Sequence, residues 1–213
     1  TMKPTTAPAC QRRPTPRLPL PALCRALLLG AWLGLGAGAA PAYAGQWDVA
    51  ALMEVLAGNP GGRVRFVETR HISLLDGTLE SRGELVFVPP DRLERHTEAP
   101  QRESMVLAGG TLSLERGGRS HTLRLRDYPE VAALIDSIRA TLAGDRAALE
   151  RHYALSVGGS AAAWTLDLLP HDSELARIVL RISMAGEGAH VSRVDILQAD
   201  GDRSSMRIWP PGQ

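Results

Sequence analysis

The sequence has 213 residues, 44% hydrophobic and 22% charged, with 24 basic residues against 23 acidic ones and two cysteines. Five of the basic residues fall before position 45, so residues 45–213 hold 19 Arg and no Lys against 23 Asp and Glu, a net charge of −4 with no basic patch. That balance excludes the electrostatic footprint of a nucleic-acid-binding domain; Cys10 and Cys24 both lie before position 45, so no disulfide is expected after it.

Residues 1–44 read as a secretory signal peptide. Lys3, Arg12, Arg13 and Arg17 precede an apolar stretch, 26–40, that closes on Ala42-Tyr43-Ala44, the charged, apolar, small-residue order of an export signal. The Gly and Ala content of the stretch and its Ala-x-Ala ending favour cleavage over a membrane anchor. Cys24 is followed by Arg25 and precedes most of the apolar run, which argues against a lipid attachment site. Cleavage leaves a single domain, 45–213, placed by this reading in the periplasm and long enough for a real core.

The first element of that domain is a helix over 48–57, with Leu52, Val55 and Leu56 on one side. Alternating apolar and polar residues then predict strands at 63–72, 78–88, 92–98, 104–107, 111–116 and 120–126. Asp76-Gly77, Gly109-Gly110 and Gly117-Gly118 supply hairpin turns. The clearest helix covers 129–143, with Asp127 or Tyr128 as cap, Pro129 in the first turn and Gly144 at the end. Val131, Leu134, Ile135, Ile138 and Leu142 make its apolar stripe.

A shorter helix, 145–152, leads into strands at 153–157, 164–169, 177–183, 190–198 and 203–209, the last two joined at Asp200-Gly201. About eleven strands and three helices therefore share one mainly β (α+β) domain. A sheet that long must curl, and the helices are its natural cover.

Several arrangements resemble chemical sites without their geometry. The six histidines, 71, 96, 121, 152, 171 and 190, fall on six separate elements with no metal-ligand spacing. His171-Asp172-Ser173 holds triad residue types, but neighbours in a loop cannot form the required relay, and there is no Gly-x-Ser-x-Gly elbow. The glycine pair Gly158-Gly159 lacks the Lys of a phosphate loop. Asp127, Glu130 and Asp136 read as favourable placement around a helix. No cofactor, metal or catalytic residue is expected. The Arg-rich stretches, Arg63, Arg65 and Arg70 or Arg124 and Arg126, read as solvated edges, with contact to anionic lipid headgroups as the alternative.

The run GELVFVPPDRLERHTEAP resembles the LolA-like family of outer-membrane lipoprotein carriers. Gly83, Leu85, Phe87, Pro90, Leu93 and Pro100 fill its Gly-x-Leu-x-Phe strand, its Pro and the second Pro ten residues on. Phe66 with Glu68, the turn before Thr111-Leu112 and the ending from Leu168 to Trp209 agree in order, so the resemblance spans roughly 47–209. It looks closest to a shorter LolA-related branch, thought to serve lipid or polyene-type envelope pathways.

What the resemblance implies is an incomplete antiparallel β-barrel of about eleven strands closed by a lid of about three α-helices. Its apolar cavity would receive the acyl chains of a lipoprotein, or of a glycolipid or polyene-type lipid, taken from an inner-membrane exporter to an outer-membrane acceptor by a monomer. A lipid-sensing module of the same fold is the alternative, and an acyl hydrolase has no constellation to support it. The expected cavity wall comprises Phe66, Leu85, Phe87, Leu93 and Leu112, with Leu114, Leu123, Trp164, Leu166 and Leu168. The expected lid is Leu134, Ile135, Ile138 and Leu142. In two places the chain departs from the lipoprotein carriers: Pro89 stands where they place an Arg that latches the lid, and Arg95 where they have an aromatic.

Overall fold

The computed structural model describes residues 47–74 and 77–212. The expected signal peptide and Asp76 of the first turn lie outside the described residues. Helix α1, Val49–Ala57, starts at Asp48, whose side chain accepts from the Ala51 N–H at 3.0 Å. Six strands follow: β1 Gly62–His71, β2 Thr78–Val88, β3 Arg92–Ala99, β4 Glu103–Ala108, β5 Thr111–Arg116 and β6 Arg119–Arg124. A 3-10 turn, Leu125–Asp127, leads to α2, Pro129–Leu142, and α3, Arg146–Glu150. Then come β7 Tyr153–Ser160, β8 Ala163–Pro170, α4 Ser173–Ala176, β9 Val179–Glu187, β10 His190–Gln198 and β11 Arg203–Trp209.

All eleven strands form one antiparallel sheet in the order β6-β5-β4-β3-β2-β1-β11-β10-β9-β8-β7. The chain starts at the centre, meanders to one edge, crosses through α2 and α3 to the opposite edge and returns, so that β11 pairs with β1 from Arg65↔Trp209 to His71↔Arg203. Ten gaps of about 4.8 Å would set the edges of a flat sheet roughly 48 Å apart. The fourteen residues of α2 cover only about 21 Å. A curled sheet reconciles the two lengths, and the result is a barrel left open, with helices against one face.

Two departures from the sequence reading have local causes. The strand expected over 120–126 ends at Arg124, because Leu125 turns inward, 6% exposed, to pack with Leu107 and Leu112. Its N–H donates to the Gly110 carbonyl at 2.9 Å. A fourth helix, α4, stands where a solvated turn was expected: Asp172 accepts from the N–H groups of Glu174 (2.8 Å) and Leu175 (3.4 Å), and Leu175 is buried. The following strand therefore begins at Val179 rather than 177.

Gly144, at φ +66°, ends α2, and a Cβ there would lie 2.2 Å from the Met53 carbonyl. Only a residue without a side chain lets α1 approach the α2–α3 corner so closely.

Candidate functional site

Side-chain alternation and register put the expected wall residues on the helix-bearing face of the sheet. Leu85 pairs with Val64, Leu93 with Phe87 and Leu107, Leu112 with Leu107 and Leu123, and Leu166 with Met184 and Val157. That face is filled very differently in its two halves. Over β7–β10 the helices press directly on the sheet: Leu52 and Leu56 of α1 and Leu149 of α3 form one buried cluster with Trp164, Leu166, Leu168 and Ile182. Over β1–β5 the buried cluster among the described residues is smaller, Leu107, Leu112 and Leu125.

Between the two clusters lies a cavity of about 930 Å³, at the upper end of the roughly 300–1,000 Å³ of ordinary ligand sites. Its roof is α2, which packs on α1, α3 and α4. Leu134, Ile138 and Leu142 of this helix reach the large cluster, Ile135 reaches the small one, and all four line the cavity. Val131, expected in the same stripe, is 42% exposed. The floor includes Val64, Leu85, Phe87, Leu93, Leu112 and Met206. Val64, Leu85 and Met206 line the hollow and belong to neither packed cluster. Lining residues run along β1 from Gly62 to Arg70, about 26 Å at roughly 3.3 Å per residue.

The other expected wall residues stand on the same face but outside the lining. Trp164, Leu166 and Leu168 are at most 1% exposed inside the large cluster. The Trp164 ring lies across Gly186, where a Cβ would meet it at 2.5 Å, and its indole N–H donates to the Gly188 carbonyl at 2.9 Å. Phe66 is sealed beneath the Arg95 guanidinium, 4.4 Å from the ring centroid. Leu114 is half-buried on β5, and Leu123, 38% exposed, stands on edge strand β6 with no strand beyond it. On the outer face of β2, Val88 is 47% exposed.

One polar group on the floor is deeply buried. Glu68, 5% exposed, accepts from the Ser204 hydroxyl on Oε1, and from Arg95 Nη2 (2.7 Å) and the Ser81 hydroxyl (3.3 Å) on Oε2. Burial alone would raise its pKa. The Arg95 charge, the Ser204 hydrogen bond and the more distant Arg70 outweigh burial and hold it below the usual carboxylate value. Gly83, which pairs with Phe66, stands at a register shift against β3, where a Cβ would lie 1.9 Å from the His96 carbonyl oxygen. Arg63 and Arg65 point the other way, paired with Glu84 and Glu98 on the outer face. Among the described residues no three His, Asp or Glu side chains gather as a metal site requires.

The sequence profile described as "Outer membrane lipoprotein carrier protein LolA-like" matches residues 39–207. The chain belongs to this family. No curated protein matches it. Among solved structures, a LolA superfamily protein from Nitrosomonas europaea is similar at 11% identity and TM-score 0.43, over 78% of this chain and 94% of that one. A DUF1329 family protein from Desulfovibrio piger gives 10% identity and TM-score 0.43, over 78% and 92%. The MucA/MucB complex of Pseudomonas aeruginosa gives 13% identity and TM-score 0.44, over 76% of this chain and 56% of the matched one. The LolA-like carriers to which this chain belongs are a non-enzymatic family, and its fold is that of a lipid or lipoprotein binder.

Proposed function

We propose that the protein is exported by residues 1–44 to the periplasm, where it takes acyl chains into the hollow beneath α2 and carries them from an inner-membrane donor toward the outer membrane. The observation that carries this reading is the unfilled apolar space itself: Val64, Leu85 and Met206 line about 930 Å³ without packing on any buried cluster, in a member of a lipoprotein-carrier family. At the roughly 30 Å³ of one water-sized group, the space suits about thirty methylene-sized groups, one or two acyl chains. Its length exceeds the roughly 15 Å of one hydrocarbon leaflet.

The magnitudes also favour a carrier over a permanent store. Burying a sixteen-carbon chain at about 0.8 kcal/mol per methylene is worth roughly 12 kcal/mol before binding costs. Release is feasible when part of that gain is opposed by a lid that competes for the same surface. In α2 the stripe of Leu134, Ile135, Ile138 and Leu142 is such a competitor, able to settle on Leu85 and Leu93 when cargo leaves.

The test is transfer of a fluorescent acyl lipid from donor to acceptor vesicles by protein recovered from the periplasm of expressing cells. The expected outcome is faster transfer with protein than without, and slower transfer with Ile138→Asp at unchanged circular dichroism. Transfer no faster than the protein-free rate contradicts the reading.

A further inference from the structure

The charged groups along the hollow are not spread evenly. Near its β1 C-terminal end the lining includes Arg70, Arg95 and Arg116 with only Glu68 and Glu103. Arg116 and Glu103 form one pair, 3.7 Å apart, and Arg116 also donates to Gln101 Oε1. That leaves one carboxylate, Glu68, between two guanidiniums.

Glu68 is already supplied. Its Oε2 receives Arg95 and Ser81, and its Oε1 receives Ser204. Arg70 adds only an ion pair at 3.5 Å, and its side chain is 46% exposed. Arg70 thus adds charge beside Glu68 without a hydrogen bond to it. Each arginine carries five N–H donors. Arg95 uses three of them, two from Nη2 on Glu68 and on Ser81 at 3.0 Å and one from Nε on Thr97 at 3.4 Å, so that Nη1 has no hydrogen-bond partner among the described residues. Stacking on Phe66 holds the plane of that guanidinium in place.

The outcome is a net positive pole, rigid on one side and adaptable on the other, at the end of an apolar hollow whose nearby walls include Leu79, Leu85 and Met105. Such a pole complements an anion with paired oxygens, which guanidinium forks grip in a bidentate manner. We propose that the cargo is an anionic amphiphile: its carboxylate or phosphate meets Arg70 and Arg95 on the side facing the hollow, away from the Glu68 carboxylate that lies between them, and its chain runs along the floor toward Gly62. This rests on the carrier reading and narrows it to one class of lipid.

The experiment compares three probes with one sixteen-carbon chain, palmitate, hexadecyl phosphate and hexadecanol, as displacers of a neutral fluorescent acyl reporter from the purified protein. Both anions are expected to displace it at concentrations about tenfold or more below the alcohol, the scale of one charge-assisted hydrogen-bond pair. Arg70→Gln is expected to shrink that advantage to about threefold or less, and high salt to reduce it in the unaltered protein. Arg70 is half-exposed, so this variant should keep its thermal melt; Arg95→Gln, which strips the buried Glu68 of its partner, serves only as a second check. Palmitate ahead of hexadecyl phosphate would identify a fatty-acid carboxylate as the natural headgroup, and the reverse order a phospholipid. If all three probes displace alike, or the anion advantage survives Arg70→Gln, the anionic pole is overturned while the carrier reading stands. If none displaces the reporter and the reporter itself does not bind, the carrier reading falls with it.

Discussion

Replacing Leu85 with Trp separates a hollow from a packed core. Leu85 lines the cavity and touches neither buried cluster, so a larger side chain there can grow into empty space. Trp in place of Leu would cover roughly 40–80 Å² more apolar surface, about 1–2 kcal/mol at 25 cal/mol per Å², less about 1 kcal/mol for ordering the ring. The net change is expected between zero and about 1 kcal/mol of stabilisation. The same substitution at Ile182, fully buried in the filled half, should cost about 1–3 kcal/mol through overpacking. In a domain of this size that lowers Tm by roughly 3–10 °C. The assay pairs thermal melts with titration of a fluorescent acyl probe. Leu85→Trp should melt no lower than the unaltered protein yet bind the probe several-fold more weakly, while Ile182→Trp should melt lower. If Leu85→Trp destabilises as much as Ile182→Trp and leaves probe binding intact, the space beneath α2 is not a cargo site.

Glu68→Gln should lower stability at neutral pH by roughly 3 kcal/mol, at the low end for breaking a buried ion pair, since Arg95 keeps some contact with water. Because the folded carboxyl is held below its ordinary value of 4.5, its contribution is present above that value and is lost as pH falls through the lower folded one. Melts between pH 7 and pH 3 should therefore fall less steeply for Glu68→Gln than for the unaltered protein. Gly144→Ala forces a side chain into φ +66° and against the Met53 carbonyl, and should cost at least about 2 kcal/mol in denaturant titrations. An unchanged midpoint would show that α1 does not hold the α2–α3 corner as tightly as the structure indicates.

The sequence revealed faces more readily than depths. Period-two alternation placed β2, β5, β10 and β11 at their observed limits and assigned Leu85, Leu112 and Leu166 to one side of the sheet. Whether that side is filled depends on which helices cover it, and this follows from the crossover between the two edge strands, a long-range property that no local pattern carries. Trp164, Leu166 and Leu168 thus read the same as Leu85 and Leu93 in the sequence, yet α1 and α3 press on the first three and not on the others. Leu134, Ile135, Ile138 and Leu142 stand on one face of α2 in the sequence and together line the cavity, because the stripe of a helix records what it faces over its whole length.

Arg70 reads with Arg63 and Arg65 as one Arg-rich stretch of sequence, but its even position on β1 puts it on the same face as Phe66 and Glu68, opposite the other two. The short helix α4 was signalled by Asp172, an N-cap residue type two positions before Glu174, but four residues are too few to show a helical period.

Carriage requires acyl chains in the space under α2, and native mass spectrometry of the intact protein recovered from its own cell envelope tests this most directly. The expected spectrum shows the protein with one or two bound acyl species, reduced in proportion in Leu85→Trp purified in parallel. A protein that arrives free of lipid, and stays so after incubation with acyl-bearing vesicles, would contradict it.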